Sequence, residues 1–266
     1  MAEQNASSNG SSGVDYYTNT RSSGVDYEDE WSRLIEFVMK QEFAGFIFFM
    51  IFSAIEFVIV ILTLFALCAL IKSHRSTPVF VVHLILSDLI QTICILITIS
   101  IGHEINAYFY SLTVAVYFMA CVAFERYLLV SPPIWYRSNH SLKVCCVVSV
   151  IIWFVPLILT VIDFSSLTIS IICLIPYPII ILCFVGTCCG LSRAISLSPL
   201  KRKQILGSLF LVLLTYTFLI LPFLIMMVID DILEVHNSVD FFIFSFLLLF
   251  LNPLAGCVLY IFVRPD

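Results

Sequence analysis

The stretch Phe124-Glu125-Arg126-Tyr127 places an acid and a base side by side at the end of a charge-free run, 105–124. Adjacent charges that close a hydrophobic run mark a membrane boundary, a functional switch, or both. The whole chain is 61% apolar and only 12% charged, whereas soluble domains have about 25% charged residues. The composition therefore predicts a protein that crosses the membrane several times.

Apolar runs long enough to cross a bilayer recur along the chain. A spanning helix needs about 20 apolar residues, and helices satisfy their own backbone hydrogen bonds in lipid. The sequence predicts an all-α membrane protein, a seven-transmembrane helix bundle over residues 43–263. The predicted spans are Phe43–Ile71, Pro78–Ile101, Asn106–Val130, Val144–Ile162, Leu167–Leu191, Ile205–Ile229 and Phe241–Val263.

The basic residues predict the orientation, because Lys and Arg are retained on the cytoplasmic side. Seven spans place ten of the thirteen Lys and Arg residues on one side: Lys72, Arg75, Arg126, Arg137, Lys143, Arg193, Lys201, Arg202, Lys203 and Arg264. The second, fourth and sixth connections contain none. We therefore expect the N-terminus outside and the C-terminus inside, with residues 264–266 as a truncated cytoplasmic end.

Residues 1–42 are rich in Ser, Gly, Asn and acids, and we expect a disordered acidic extracellular tail. Asn5 and Asn9 begin glycosylation sequons in it. Tyr16, Tyr17 and Tyr27 lie beside acids, the local chemistry of tyrosine sulfation. The alternative, which we favour, is a solvated acidic tail that carries glycans.

Two carboxylates lie inside predicted spans, Glu56 and Asp88. A charge in hydrocarbon costs several kcal/mol, so each must face the bundle, find a partner or stay protonated. Together with Asp163 they motivate a minor hypothesis, a proton-coupled channel or transporter.

Two adjacent cysteine pairs, 145–146 and 188–189, lie near predicted cytoplasmic helix ends. Palmitoylation is one reading there; plain packing is the one we favour. No phosphate loop, HExxH motif or nucleophile with a matched base occurs. We therefore expect no enzyme activity, and we expect no nucleic-acid partner.

The motifs and their order resemble those of rhodopsin-like G-protein-coupled receptors, from Phe43 to Phe262. Leu86-Ser87-Asp88 lies in the second span, Glu125-Arg126-Tyr127 ends the third, Trp153 lies in the fourth, and prolines lie in the fifth, sixth and seventh. Leu221-Pro222-Phe223 and Val258-Leu259-Tyr260 are most similar to the nucleotide, lysolipid, protease-activated and proton-sensing branch.

The resemblance implies a switch at the cytoplasmic end of the bundle. Glu125 would hold Arg126 at rest, and Arg126 would then meet a heterotrimeric G protein, with Tyr127 completing the motif. Pro222 would kink the sixth helix, and Tyr260 would join the active-state network. The expected location is the plasma membrane.

The resemblance also implies two sites within the bundle. Asp88, with Asn252 as a neighbour, matches the carboxylate that holds a sodium ion in resting receptors. Tyr108, Phe109 and Leu112 would line a pocket for an unknown extracellular ligand, although packing against neighbouring helices is the alternative that we favour for all three. No other cofactor is expected.

Departures from the family pattern favour a second hypothesis. Ile101 stands where the family has its disulfide cysteine, Ile220 stands two residues before Pro222 in place of a Trp, and Gly256-Cys257 stands in place of Asp/Asn-Pro. Arg202 offers no acid to lock Arg126. The alternative is a degenerate or truncated homologue that does not signal.

Overall fold

The computed structural model describes residues 43–73, 79–101, 105–130, 142–162, 165–193, 198–233 and 239–263. Within these ranges the chain is helical apart from single-residue turns and caps, and no strand occurs. The α-helices are α1 Phe43–Ser73, α2 Val79–Ile101, α3 Ile105–Val130, α4 Leu142–Ile162, α5 Ser166–Leu174, α6 Pro176–Arg193, α7 Pro199–Thr215, α8 Leu221–Leu233, α9 Val239–Phe250 and α10 Asn252–Val263, with a π-helical segment, Tyr216–Ile220, between α7 and α8.

Several of these helices have membrane-spanning length. Five stretches of the described chain are long and apolar enough to cross a bilayer: Ile47–Lys72, Val79–Ser100, Asn106–Val130, Ser166–Leu191 and Pro199–Ile232. Two further apolar helical stretches are shorter, Lys143–Leu159 and Phe244–Tyr260. The all-helical architecture of a membrane protein is confirmed, while the count of seven spans and the orientation stay predictions.

Helix α3 lies at the centre of the bundle. In the most apolar 18 residues of α3, 72% of the residues are buried, compared with 17% in the corresponding stretch of α1. It packs against α2, α4, α5, α6 and α7, and α10 closes the bundle against α1, α2 and α7. Outward-facing side chains such as Phe48, Phe65 and Phe154 are exposed. In a bilayer these apolar faces would contact lipid chains.

The predicted fifth span, Leu167–Leu191, is divided at its prolines. Helix α5 ends at Leu174 and α6 begins at Pro176. Because proline has no backbone N–H, the carbonyl of Ile172, four residues earlier, cannot receive its helical hydrogen bond. The Tyr117 hydroxyl of α3 donates to that carbonyl at 3.2 Å. A neighbouring helix thus satisfies the released backbone group, as apolar surroundings require.

The predicted sixth span begins earlier than expected. The prediction was Ile205, whereas α7 begins at Pro199. The side chain of Ser198 accepts a hydrogen bond from the backbone N–H of Lys201 at 3.4 Å and caps the first turn. The basic residues of the first turn led to the prediction of a loop there. A helix that ends at the membrane surface accommodates such residues, because their charged groups reach water.

The π-helical segment Tyr216–Ile220 lies just before Pro222. The backbone N–H that follows the segment donates to the carbonyl of Tyr216, five residues back. The Tyr216 ring stacks on Tyr177 with centroids 4.8 Å apart, and its hydroxyl donates to the carbonyl of Cys173. The helix irregularity beside Pro222 therefore takes the form of a π turn that is tied to α5 and α6.

Candidate functional site

A chain of polar side chains joins α2 to α10 in the bundle core. Asp88, Gln91 and Asn252 are all fully buried. Gln91 Nε2 donates to Asp88 Oδ1 at 3.4 Å, and Asn252 Nδ2 donates to Gln91 Oε1 at 3.3 Å. The two residues predicted to share a sodium site are thus linked through Gln91. Sequence reasoning missed Gln91, although its position three residues after Asp88 places both on one helix face.

Two oxygens of this cluster are buried without a hydrogen-bond partner in the described chain, Asp88 Oδ2 and Asn252 Oδ1. The carboxylate also presses against α10, since a Cβ on Gly256 would lie 2.0 Å from Asp88 Oδ2. Buried acceptors without donors are costly, and carboxylate and carbonyl oxygens suit hard cations. These two orphaned oxygens are of the kind that a sodium ion binds, and the sodium site stays a prediction. No group of three or more His, Cys, Asp or Glu that could hold a metal occurs among the described residues.

A second carboxylate, Glu56 of α1, lies in the same region. Its side chain is 2% exposed, its Oε1 has no hydrogen-bond partner in the described part of the chain, and it acts electrostatically on Asp88. Of the three alternatives left open for Glu56, the structure shows that its side chain faces the bundle. Two ionised carboxylates repel each other in a low-dielectric core, so the pair requires a proton or a cation.

A small cavity adjoins this cluster, with room for about one water molecule. Leu84 of α2, Met119 of α3, Thr215 of α7 and Gly256 of α10 are among its lining residues. Gly256 both lines this cavity and lies against the Asp88 carboxylate.

The three charged or polar residues at the end of α3 are partly buried. Arg126 Nε is fully buried and has no hydrogen-bond partner among the described residues. The Tyr127 ring packs on Gly186 of α6, where an added Cβ would lie 2.7 Å from the ring. Glu125 acts electrostatically on the Cys145 thiol of α4. The motif thus contacts α6 through Tyr127, while restraint of Arg126 by Glu125 stays a prediction.

The end of α6, the start of α7 and the end of α10 are closely joined. Arg202 Nη2 donates to the carbonyl of Leu191, which ties the start of α7 to the end of α6. A Cβ on Gly207 would lie 2.6 Å from the Phe262 ring of α10. Tyr260, two residues before Phe262 in α10, packs partly buried against the core. The signalling roles of Tyr260 and Pro222 stay predictions.

An aromatic junction, His83, Phe118 and Trp153, joins α2, α3 and α4. The His83 ring stacks on Phe118 with centroids 5.2 Å apart, and Trp153 Nε1 donates to His83 Nδ1 at 3.3 Å. The Tyr110 hydroxyl donates to the Trp153 carbonyl at 2.6 Å. Only the fold reveals that His83 pairs with Trp153, because the two residues lie on different helices.

The residues predicted to line a ligand pocket, Tyr108, Phe109 and Leu112, are at most 1% exposed. Tyr108 meets Phe246 of α9 edge to face at 6.4 Å, and Phe109 stacks on Phe223 of α8 at 5.8 Å. All three side chains have the packing contacts of core residues. A part in ligand binding stays a prediction.

Several predicted features lie outside the described residues. These are the sequon residues Asn5 and Asn9, the tyrosines Tyr16, Tyr17 and Tyr27, and the acid Asp163.

The described core can do two things chemically. Its orphaned oxygens can hold a proton or a small hard cation, and the end of α3 offers an arginine N–H that lacks an acceptor. No protein-family model matches the chain, and no curated protein matches it either.

Proposed function

We propose that this protein is a rhodopsin-like G-protein-coupled receptor of the plasma membrane. It would transmit an extracellular ligand signal to a heterotrimeric G protein by rearranging its helices. The observation that carries the proposal is Arg126, whose buried Nε has no partner in the described chain at the end of the central helix. An unsatisfied buried N–H costs free energy, so a conformation or a partner protein that supplies an acceptor is favoured.

The surroundings of α3 support a switch at that position. Tyr127 is held against Gly186 of α6, so displacement of α6 would change the packing at Arg126. The π segment beside Pro222 supplies an irregular point at which α8 can move relative to α7. Packed helices move between discrete arrangements rather than deforming continuously. Motion at the outer half of the bundle can therefore reach the end of α3.

The polar cluster of Asp88, Gln91 and Asn252 supports a resting state that depends on an ion or a proton. It joins α2 to α10, and Glu56 brings α1 to the same place. When bound, sodium would supply the positive charge that the buried carboxylates lack. Occupancy favours the arrangement of helices in which the oxygens converge, since a ligand shifts an equilibrium toward the state it binds better.

The proposal is tested by G-protein activation in cells that express the full chain at their surface. We expect the parent to activate at least one G-protein family, basally or on stimulation, and Arg126→Ala to lose this activity at equal surface level. Lys201→Ala, which removes an exposed cation from the first turn of α7, is the matched control and should keep it. Equal activity of the parent and Arg126→Ala would refute the proposal.

One observation favours the alternative, a homologue that folds without signalling. Two of the side chains expected to line the ligand pocket pack against other aromatic rings, Tyr108 against Phe246 and Phe109 against Phe223. A parent protein that reaches the surface but activates no G-protein family would support this alternative. A pH-dependent current would instead favour a proton-coupled channel built around Glu56 and Asp88.

A further inference from the structure

The ten cysteines, all within the described helices, divide by exposure in a regular way. Four side chains are exposed, and they lie on α1, α4 and α6: Cys68, Cys146, Cys188 and Cys189. Five are buried, Cys94, Cys145, Cys173, Cys183 and Cys257, and Cys121 is intermediate. One member of the 145–146 pair and both members of the 188–189 pair are therefore exposed.

Each exposed cysteine lies a similar short distance along its helix from a basic residue at the helix end. Cys68 lies four residues before Lys72, Cys146 three residues after Lys143, and Cys188 five residues before Arg193. At 1.5 Å per residue these separations are about 4.5–7.5 Å along a helix axis. Lys and Arg mark the level at which a helix leaves the hydrocarbon on the cytoplasmic side. The exposed thiols thus lie just inside one membrane face.

The side chains around these thiols are apolar and exposed. Phe65 lies three residues before Cys68, Val147 lies next to Cys146, and Val185 lies three residues before Cys188, and all three are more than half exposed. Such faces can be accommodated only by lipid chains or another apolar surface. The thiols therefore open onto the lipid side of α1, α4 and α6 rather than onto the protein core.

We propose that Cys68, Cys146 and Cys188 are S-acylation sites that accept a long-chain fatty acyl group from an acyl-coenzyme A thioester. The cysteine sulfur attacks the acyl carbon and forms a new thioester, while the bond from that carbon to the coenzyme A sulfur breaks. Coenzyme A leaves as the thiol with the proton that the cysteine gave up, so no oxidant is needed. A juxtamembrane cysteine is the usual acceptor for this reversible modification.

The neighbouring cysteines provide an internal comparison. Cys145 and Cys146 are adjacent in α4, but Cys145 is 5% exposed and Cys146 is exposed. In α6, Cys183 is likewise 5% exposed, one to two turns from the exposed Cys188. The proposed acceptor cysteines differ from the core cysteines in facing outward from the bundle, and not in their position along the sequence. The inference does not depend on coupling to a G protein.

The experiment uses the full chain expressed in cultured cells fed an alkynyl palmitate. The purified protein is coupled to a fluorophore, with and without hydroxylamine, which cleaves thioesters. We expect a hydroxylamine-sensitive label on the parent and its loss in Cys68→Ser/Cys146→Ser/Cys188→Ser/Cys189→Ser, where Cys189 is replaced because it adjoins Cys188. The matched controls Cys145→Ser and Cys183→Ser should keep the label.

Each other outcome overturns the proposal. The proposal is wrong if the parent is present in the membrane but unlabelled, or if the fourfold variant keeps the label. It is also wrong if the Cys145→Ser and Cys183→Ser controls lose the label to the same extent as the fourfold variant. If the fourfold variant fails to fold, peptide mass spectrometry of the parent decides. An acyl adduct on Cys146 or Cys188, with none on Cys145, supports the assignment, and unmodified peptides at these positions contradict it.

Discussion

Asp88 contributes both to the packing of α2 against α10 and to the polar cluster of the core. One carboxylate oxygen accepts from Gln91, and the other is pressed against Gly256 without a donor in the described chain. Only a residue without Cβ allows this approach. A deeply buried carboxylate left in this state needs a compensating charge or a proton.

Sodium should therefore stabilise the parent protein through Asp88. We expect its thermal unfolding temperature in detergent to rise when sodium chloride replaces choline chloride at constant ionic strength. The gain in the free energy of unfolding is about 1.4 kcal/mol at a sodium concentration of about ten times Kd. Asp88→Asn should abolish the sodium response, because the amide carries no charge to balance the cation.

Asp231→Asn is the control for this measurement. Asp231 of α8 accepts a hydrogen bond from the Ser166 hydroxyl at 3.0 Å, away from the polar cluster, so its variant should keep the sodium response. A parent whose unfolding temperature is the same in both salts would rule out a sodium site at Asp88.

At the scale of elements, a tyrosine compensates for the proline of a neighbouring helix. Tyr117 donates to the carbonyl that Pro176 leaves without a helical donor, and Tyr216 donates to the next carbonyl, that of Cys173. In an apolar bundle such donors replace the water that would solvate a kink in a soluble protein. The broken α5–α6 helix is therefore part of the packing and not a local defect.

Removing the Tyr117 hydroxyl should cost stability only while Pro176 is present. We expect Tyr117→Phe to lower the free energy of unfolding by about 0.6 kcal/mol, with an upper limit of about 1.7 kcal/mol. In a Pro176→Ala background the restored backbone N–H can donate to Ile172, so the same change should cost little. Unfolding of the four variants in detergent gives the coupling free energy of the pair.

Tyr110→Phe is the matched control in this cycle. Tyr110 lies on the same helix and also donates to a carbonyl, that of Trp153, which Pro176 does not affect. Its cost should be equal in both backgrounds. If the cost of Tyr117→Phe is also equal in both, the hydroxyl does not compensate for the proline.

At the scale of the whole molecule, the distribution of charge predicts which ends of the bundle lie outside. The basic residues favour an outer N-terminus and an inner loop around Asn139. We expect a glycosidase to shift the electrophoretic mobility of the parent expressed in animal cells. The shift should disappear in Asn5→Gln/Asn9→Gln and persist in Asn139→Gln, which removes the sequon Asn139-His140-Ser141 of the predicted cytoplasmic loop.

The opposite pattern would reverse the orientation. A glycan that is lost in Asn139→Gln and retained in Asn5→Gln/Asn9→Gln would place the loop outside. It would also place Arg126 on the side without a G protein, so this measurement constrains the proposed function as well.

Parts of the candidate site follow from the sequence and parts do not. Asp88 and Glu56 are carboxylates in apolar runs, so the cost of charge in hydrocarbon predicts that each faces the bundle, finds a partner or stays protonated, and the structure shows both buried. Gln91 is neutral and shares a helix face with Asp88, but its bridge to Asn252 spans residues far apart in the chain. The partner of His83 is likewise distant, since Trp153 lies on another helix. Local spacing carries no information about such pairs.

The sequence by itself determined the helical, membrane-type architecture, the places where proline removes a helical donor, and the requirement that the core acids face the bundle, find a partner or stay protonated. These depend on hydrophobic length, on the missing N–H of proline and on the cost of charge in hydrocarbon, all of which are local properties. Only the tertiary structure decided which side of each helix faces inward. That choice leaves Cys146 exposed while adjacent Cys145 is buried, sets Asp88 against Gly256, and leaves Arg126 Nε without an acceptor in the described chain. Helix rotation is fixed by packing against neighbours distant in sequence, and nearly uniform apolarity around a spanning helix gives little indication of it.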